Sequence, residues 1–301
     1  MSKKTIVRLV LYSSIIFGLA LLYRFDSAVV KKELQPEITN NETPFPVSRY
    51  RLEDVAVGIN LYPPSVEKIE NRAVVGGVVA HHLLVQNTIA EYFQNLSSFG
   101  YKRVILLGPN HGELGEKLVV TSTRPWDTPY GTVYSDQAVI TDLSNCASND
   151  PYPLENDHSL EVIMPFIKMY LPEAQVVPLM LSGRLKMDDI DSLVSCLIPH
   201  VGQETLVLVS SDFSHYLKSS VAKQRDAETL ALLKSWDVDR LITLNSDHLD
   251  SPPALVTLME LMQAVGAKDM EVFAHTDASI VSNNPFAATT THYFLNYYVK
   301  R

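Results

Sequence analysis

Three short segments of this 301-residue chain put histidine where chemistry is commonly done: Ala80-His81-His82, Pro109-Asn110-His111-Gly112 and Ser211-Asp212-Phe213-Ser214-His215. Each follows directly on an apolar, β-branched run, Ala73–Val79 (AVVGGVV), Arg103–Gly108 (RVILLG) and Thr205–Ser210 (TLVLVS). One histidine at a strand end is ordinarily structural or exposed. Three delivered to one rim are harder to explain that way, because neutral imidazole is the commonest metal ligand and a histidine beside an aspartate is set for proton transfer.

The elements that must hold these segments alternate. A helical pattern over Leu84–Phe99 stops at Gly100, and Lys117–Ser122 alternates like a strand. Ser159–Leu171 reads as a helix that Pro165 either kinks or begins. Gln175–Leu181 is a further strand, Met187–Ile198 a helix, and helices are expected over Ser219–Trp236, Asp237–Leu244 and Pro252–Val265. Glu271–His275 and the aromatic alternation of Thr290–Val299 close the chain as strands. Strands alternating with helices predict an α/β fold, a layered, mostly parallel central sheet flanked by helices, with ligands beyond the carboxyl ends of its strands.

Thr5–Tyr23 is a nineteen-residue apolar run broken only by Arg8 and preceded by Lys3 and Lys4. It is long enough to span a bilayer, and no small-x-small site precedes Tyr23-Arg24-Phe25, so it reads as a retained anchor over residues 1–25 rather than a cleaved signal peptide. The basic flank places the N-terminus in the cytoplasm and the globular part outside it. Residues 26–50 are polar and Pro-containing, a linker, and 51–301 form the globular domain. With 34 Asp+Glu against 25 Lys+Arg the net charge is −9, which argues against a nucleic-acid binder. The two cysteines, Cys146 and Cys196, form no CxxC motif; a disulfide between them stays open, and two unpaired thiols near the core are the expectation.

These residues resemble the Memo-like proteins, the AmmeMemoRadiSam system protein B group, whose fold is shared with class III extradiol dioxygenases. The resemblance rests on VVAHHL around 78–83, LLGPNHG at 106–112, PWDTPYG at 125–131, DHSLEVIMPF at 157–166 and VSSDFSHY at 209–216, in the family's order. It implies that His81 and His111 are metal ligands, that His215 with Asp212 is an acid/base pair beside the cleft, and that His158 and Glu161 line the same pocket. His82 is an extra imidazole that the family's motif lacks, and Asn110 belongs to a turn beside the metal.

Where Memo-like proteins commonly carry a third ligand cysteine, this chain reads Asp247-His248-Leu249-Asp250-Ser251-Pro252. Either Asp250 or His248 could replace the thiolate. Asp250 would complete a 2-His-1-carboxylate face suited to Fe(II), with Zn or Cu as other divalent candidates. The competing reading has Asp250 only capping the helix that begins at Pro252. Likewise His158 could orient a helix start, and Trp126–Gly131 could be a plain turn. His200, His275 and His292 match nothing and are expected to be structural or exposed.

The resemblance implies a metal-dependent, dioxygenase-like redox enzyme, with radical SAM system partners suggested by the family name. A non-catalytic module binding a peptide or small anion, and a Zn-dependent hydrolase, remain open on the same residues.

Overall fold

Side chains along the central strands alternate between two hydrophobic cores. In β2 (Arg103–Pro109), Val104 and Leu106 join one core while Ile105 and Leu107 join the other. The computed structural model describes residues 42–46, 52–64, 72–284 and 286–300. The anchor expected over 1–25 lies outside them, and among the described residues no helix is long and apolar enough to cross a membrane.

Around β2 the strands are β1 (Arg72–Val79), β3 (Val119–Thr121), β4 (Trp126–Thr128), β5 (Gly131–Val133), β6 (Ser148–Asn149), β7 (Gln175–Leu181), β8 (Thr205–Ser210), β9 (Asp269–Asp277) and β10 (Thr291–Lys300). Eight of them form one sheet in the order β6-β3-β7-β2-β8-β1-β10-β9, and β4 and β5 form a separate two-stranded sheet, which Phe45 joins by a parallel bridge to Trp126. The four central strands, β7, β2, β8 and β1, run parallel. Antiparallel β3 flanks them on one side and antiparallel β10, itself antiparallel to β9, on the other. The expected strand over Lys117–Ser122 is thus only three residues long.

One face of the sheet is covered by α1 (Leu52–Leu61), α2 (Gln86–Leu96) and α3 (Met164–Tyr170). The other is covered by α4 (Met187–Leu197), α5 (Ser219–Ser235) and α6 (Pro252–Ala264). Pro165 sits in the first turn of α3, where its missing N–H costs no helical bond, and a 3-10 turn over Glu161–Ile163 precedes it. Gly100, at φ 72°, takes the left-handed conformation that ends the α2 region. Helix α6 is buried along most of its length, as befits a helix apolar nearly all round.

β1 departs from simple alternation. Its pairing with β10 shifts register between Val74 and Gly76, a bulge at Val75. A side chain at Gly76 would strike Met262 of α6, and one at Gly77 would strike the Tyr92 hydroxyl of α2. Val75 and Gly76 therefore both face the α6 layer, and from Gly77 onward the alternation continues in the opposite phase.

Two expectations are corrected. Cys146 and Cys196 are joined in a disulfide, with Cα atoms 6.7 Å apart, rather than being separate core thiols. Cys146 ends a short turn and Cys196 lies on the half-exposed side of α4, so neither is part of the core proper. Glu42–Pro46, within the stretch read as linker, packs on the domain. Phe45 exchanges backbone hydrogen bonds with Pro125 and Asp127, and its ring lies 4.7 Å from that of Trp126.

Candidate metal centre

β8 lies between β1 and β2, so the segments leaving these three strands emerge side by side. Ser211 N donates to the Val79 carbonyl, which continues the β1–β8 pairing one step past the strands. His81 and His111 arrive from either side, and Asp212 from between them.

His81 is 3% exposed. Its backbone N–H donates to Asp212 Oδ1 at 3.2 Å. Its Nδ1 lies 3.1 Å from Ser210 Oγ, and that hydroxyl donates to the Ser159 carbonyl at 2.5 Å. With its hydrogen used there, the Ser210 oxygen accepts from His81 Nδ1, which sends Nε2 toward the cleft.

The loop bearing His111 is tied down at several points. Asn110 N donates to Leu181 O, and the Asn110 side chain bonds both the N–H and the carbonyl of Leu114. Glu113 accepts from Ser182, Gly183 and Arg184 beyond β7. Both His111 N and Nδ1 bond the buried carboxylate of Asp157, at 2.8 and 3.1 Å. Again Nδ1 is held and Nε2 faces the cleft.

Asp250 completes the group. Its Oδ1 accepts from Ser211 Oγ at 2.5 Å, and its Oδ2 accepts from Asp212 N at 3.1 Å. That same Oδ2 lies 3.3 Å from His81 Nε2, 3.6 Å from His111 Nε2 and 3.9 Å from His215 Nε2. Ser251, not Asp250, caps α6, accepting from Ala254 N. Donor atoms of His81, His111 and Asp250 all fall within 4.8 Å of one another, a group that could hold a divalent metal. His111, Asp157 and His158 form a second such group, and Asp212, His215 and Asp250 a third.

The electrostatics follow from this packing. Burial opposes charge on His111, but its bonds to Asp157 and Asp250 outweigh it and push the imidazole up to about 10. Burial opposes charge on His81 too, and the carboxylates of Asp212 and Asp250 likewise raise it. Asp250 stays well below the usual carboxylate range although its side chain is largely buried, because His111 and His81 face it. The donor set therefore holds protons where a cation would sit, which is the charge balance a metal site needs.

Other expected residues sit differently. His215 is oriented by the Ser246 carbonyl, 3.3 Å from its Nδ1, and not by Asp212, whose carboxylate lies at His81. His158 stacks on His111 with ring centroids 5.1 Å apart, half-exposed, and burial together with the charge of His81 brings it down to about 4. Glu161 is buried against a small cavity of about 80 Å³ lined by Phe45, Pro46 and Trp126. Asn110 spends its amide on the Leu114 turn. His248 points away, bonding Glu228 at 3.1 Å and Asn245 at 3.3 Å.

His292, expected to be structural or exposed, is structural. It is fully buried at the start of β10, and its Nε2 lies 3.2 Å from Nδ1 of His82. Burial pushes it down to about 4, so it is neutral near pH 7. Its only sequence signal is its place at the head of the aromatic strand. His275 also has a buried partner, Asp226, which accepts from Ser214 and Thr291 as well.

Comparison with known proteins identifies the family. The family described as Memo-like protein matches residues 51–287. A MEMO1 family protein of Ignicoccus hospitalis is 26% identical over 240 residues, covering 74% of this chain and 83% of the relative. One from Pyrobaculum arsenaticum is 30% identical over 173 residues, 55% of this chain and 61% of the relative. One from Pyrobaculum aerophilum is 26% identical, covering 57% and 64%. A solved structure of an uncharacterized Escherichia coli K12 protein is similar with a TM-score of 0.48 and 10% identity, over 73% of this chain and 99% of that one. The chain belongs to the Memo-like protein family.

Proposed function

We propose that this chain is a membrane-tethered metalloenzyme of the dioxygenase-like kind, with Fe(II) as its metal. His81 Nε2, His111 Nε2 and Asp250 would hold the ion. The observation that carries the reading is the meeting of three imidazole Nε2 atoms at one oxygen, Asp250 Oδ2, each ring pinned through Nδ1. Two histidines and a carboxylate on one side leave positions open on the other, and a bound divalent metal supplies Lewis acidity there, with one-electron redox chemistry when it is iron.

The chain's own residues do the rest. A carbonyl can only accept, so His215 Nδ1 keeps its hydrogen and Nε2 is free to take a proton from a bound substrate. Asp157 fixes the His111 ring, and Asp212 fixes the backbone of His81 and adds negative charge beside it. His158, stacked on His111 and neutral near pH 7, forms a wall at which a small organic substrate can lie.

The tether is the apolar run Thr5–Tyr23, with the domain on the extracytoplasmic side. The Cys146–Cys196 disulfide supports that placement, since disulfides persist in oxidising compartments.

The test is metal content of the full chain purified in detergent without oxygen, as wild type and as His81→Ala, His111→Ala, Asp250→Ala and His248→Ala. Near-stoichiometric iron that is lost in the first three and kept in the last is expected. Failure to bind any divalent metal, even when supplied, ends the enzyme reading and leaves the cleft as a binding site.

A further inference from the structure

The mouth of the histidine cleft is bordered by three segments, 82–86, 216–224 and 278–290. The short helix Ala278–Val281 packs on the turn Leu83–Val85. Leu217 and Thr289 exchange backbone hydrogen bonds at 3.1 and 2.7 Å, which joins the other two. His82 begins the first of these segments, His215 directly precedes the second, and His292 lies two residues beyond the third.

Large apolar side chains gather on this rim. Tyr216 is 82% exposed, Ile280 69% and Phe286 96%, and Leu84, Val221 and Val281 are exposed beside them. Six of the eleven exposed large hydrophobics among the described residues fall in these three segments, which is clustering rather than scatter. Tyr216 also holds a left-handed backbone, φ 54°, uncommon for a bulky residue and fixed here by the Leu217–Thr289 pairing.

Charge on the rim runs against that of the whole. The chain is −9, yet 82–86 and 278–290 contain no charged residue, and 216–224 contains Lys218 and Lys223 and no acid. Both lysines are exposed. Aromatic and aliphatic side chains bordered by lysine suit the headgroup region of an anionic bilayer, where rings lie at the interface and lysine stems snorkel.

The sequence supplies the bilayer. Eighteen residues separate Tyr23 from Glu42, a reach of up to about 60 Å when extended, so the tether lets the domain turn any face to the membrane. We propose that the rim formed by Tyr216, Ile280, Val281 and Phe286 docks on the bilayer surface and opens the histidine cleft to a lipophilic substrate taken from it. This rests on the tether proposed above and deepens it by naming the substrate class.

The experiment places the full chain in vesicles of equimolar phosphatidylcholine and phosphatidylglycerol, with and without bromine on the acyl chains. Indole emission is read from Phe286→Trp and, at the opposite pole of the sheet, from Ile198→Trp. Both sites are exposed, so both variants fold as the parent does. Docking to a depth of ~5–10 Å predicts that bromine removes about half of the added Phe286→Trp emission and none of that from Ile198→Trp. Lys218→Glu with Lys223→Glu reduces that quenching.

Equal quenching at the two sites, or none at either, overturns the proposal. Shielding of Phe286→Trp from acrylamide without bromine quenching means that a second copy covers the rim, and also overturns it. Alkaline extraction of the same vesicles reads the tether by itself: an extracted chain has no tether, whereas a retained chain without quenching has a tether and no docked rim. Metal content is measured on the same samples, so failure of the metal reading is seen independently.

Discussion

The imidazole of His215 donates Nδ1–H to the Ser246 carbonyl at 3.3 Å, which leaves Nε2 as an acceptor 3.9 Å from Asp250 Oδ2. Asp212, its neighbour in sequence, serves His81 instead. Asp157→Asn is therefore expected to weaken metal binding by about 10- to 100-fold, the usual loss when the ring partner of a ligand histidine is removed, and Asp212→Asn, which meets His81 through its backbone N–H, by less. His215→Gln leaves that affinity unchanged. Competition with a metal-sensitive dye measures all three, and a loss in His215→Gln equal to that in Asp157→Asn would make His215 a ligand.

Asp250 and Ser251 separate two tasks that their adjacency confounds. Ser251→Ala removes the cap of α6 and should lower stability by about 1 kcal/mol with metal retained. Asp250→Ala should abolish metal binding, leaving the cap in place. Denaturant melts paired with metal analysis check both, and a metal-free Ser251→Ala protein would contradict the assignment.

A metal held as proposed would compete with protons for the same nitrogens. His111 binds its proton up to a pH of about 10, and a metal requires it neutral. Affinity should therefore rise with pH across the neutral range, about tenfold per unit for each proton displaced, and fall equally as pH is lowered. Titrations from mildly acidic to mildly basic buffer would show this slope; a flat profile would mean that no proton leaves.

Acid should destabilise the metal-free fold through His292. Its folded value, about 4, lies below the unfolded one of about 6.5, so the unfolded chain binds more protons between the two. The stability is present in full above the unfolded value and is lost as pH falls toward the folded one, a change on the order of 3 kcal/mol for this fully buried ring. His292→Gln should show a smaller difference between the two ends of that window in urea unfolding. An unchanged difference would place the acid sensitivity elsewhere.

The disulfide closes a span of 50 residues. Removing it by Cys146→Ser with Cys196→Ser is expected to lower stability by about 2–4 kcal/mol. The cleft lies at the carboxyl ends of β1, β2 and β8, so metal content should not change. Differential scanning calorimetry and metal analysis read the two effects apart.

The sheet was legible because its central strands are buried on both sides and read as unbroken β-branched runs. The rule that ligands gather at their carboxyl ends then located His81, His111 and His215 without any contact information. What was not legible depends on side-chain direction. Asp250 and Ser251 are both capping residues by type, and only the fold shows which one faces the helix. Asp212 sits three residues before His215, yet the turn between them sends the carboxylate to His81. Ser246 acts through its carbonyl, which has no sequence signature. His292 lies 210 residues from His82, and Cys196 lies 50 from Cys146, so both pairs wait on the tertiary fold. Glu161 shares a stretch with Asp157 but, four residues on, turns to the Trp126 side.

The number of residues between the bulge in β1 and the end of the strand sets which of two adjacent histidines reaches the cleft. Side chains along a strand alternate, so one residue more or fewer exchanges its faces. Val75 and Gly76 both face the α6 layer, and His81 stands five positions beyond Gly76. Loss of Val75 alone would only remove the bulge and leave His81 at Asp250, whereas loss of one residue between Gly77 and Ala80, with the pairing up to Gly76 kept, would bring His82 to Asp250 and turn His81 toward His292. The identity of the ligand is thus stored in a count of residues as well as in their kinds, and the neighbouring imidazole gives the gene a spare copy one step out of frame with the sheet.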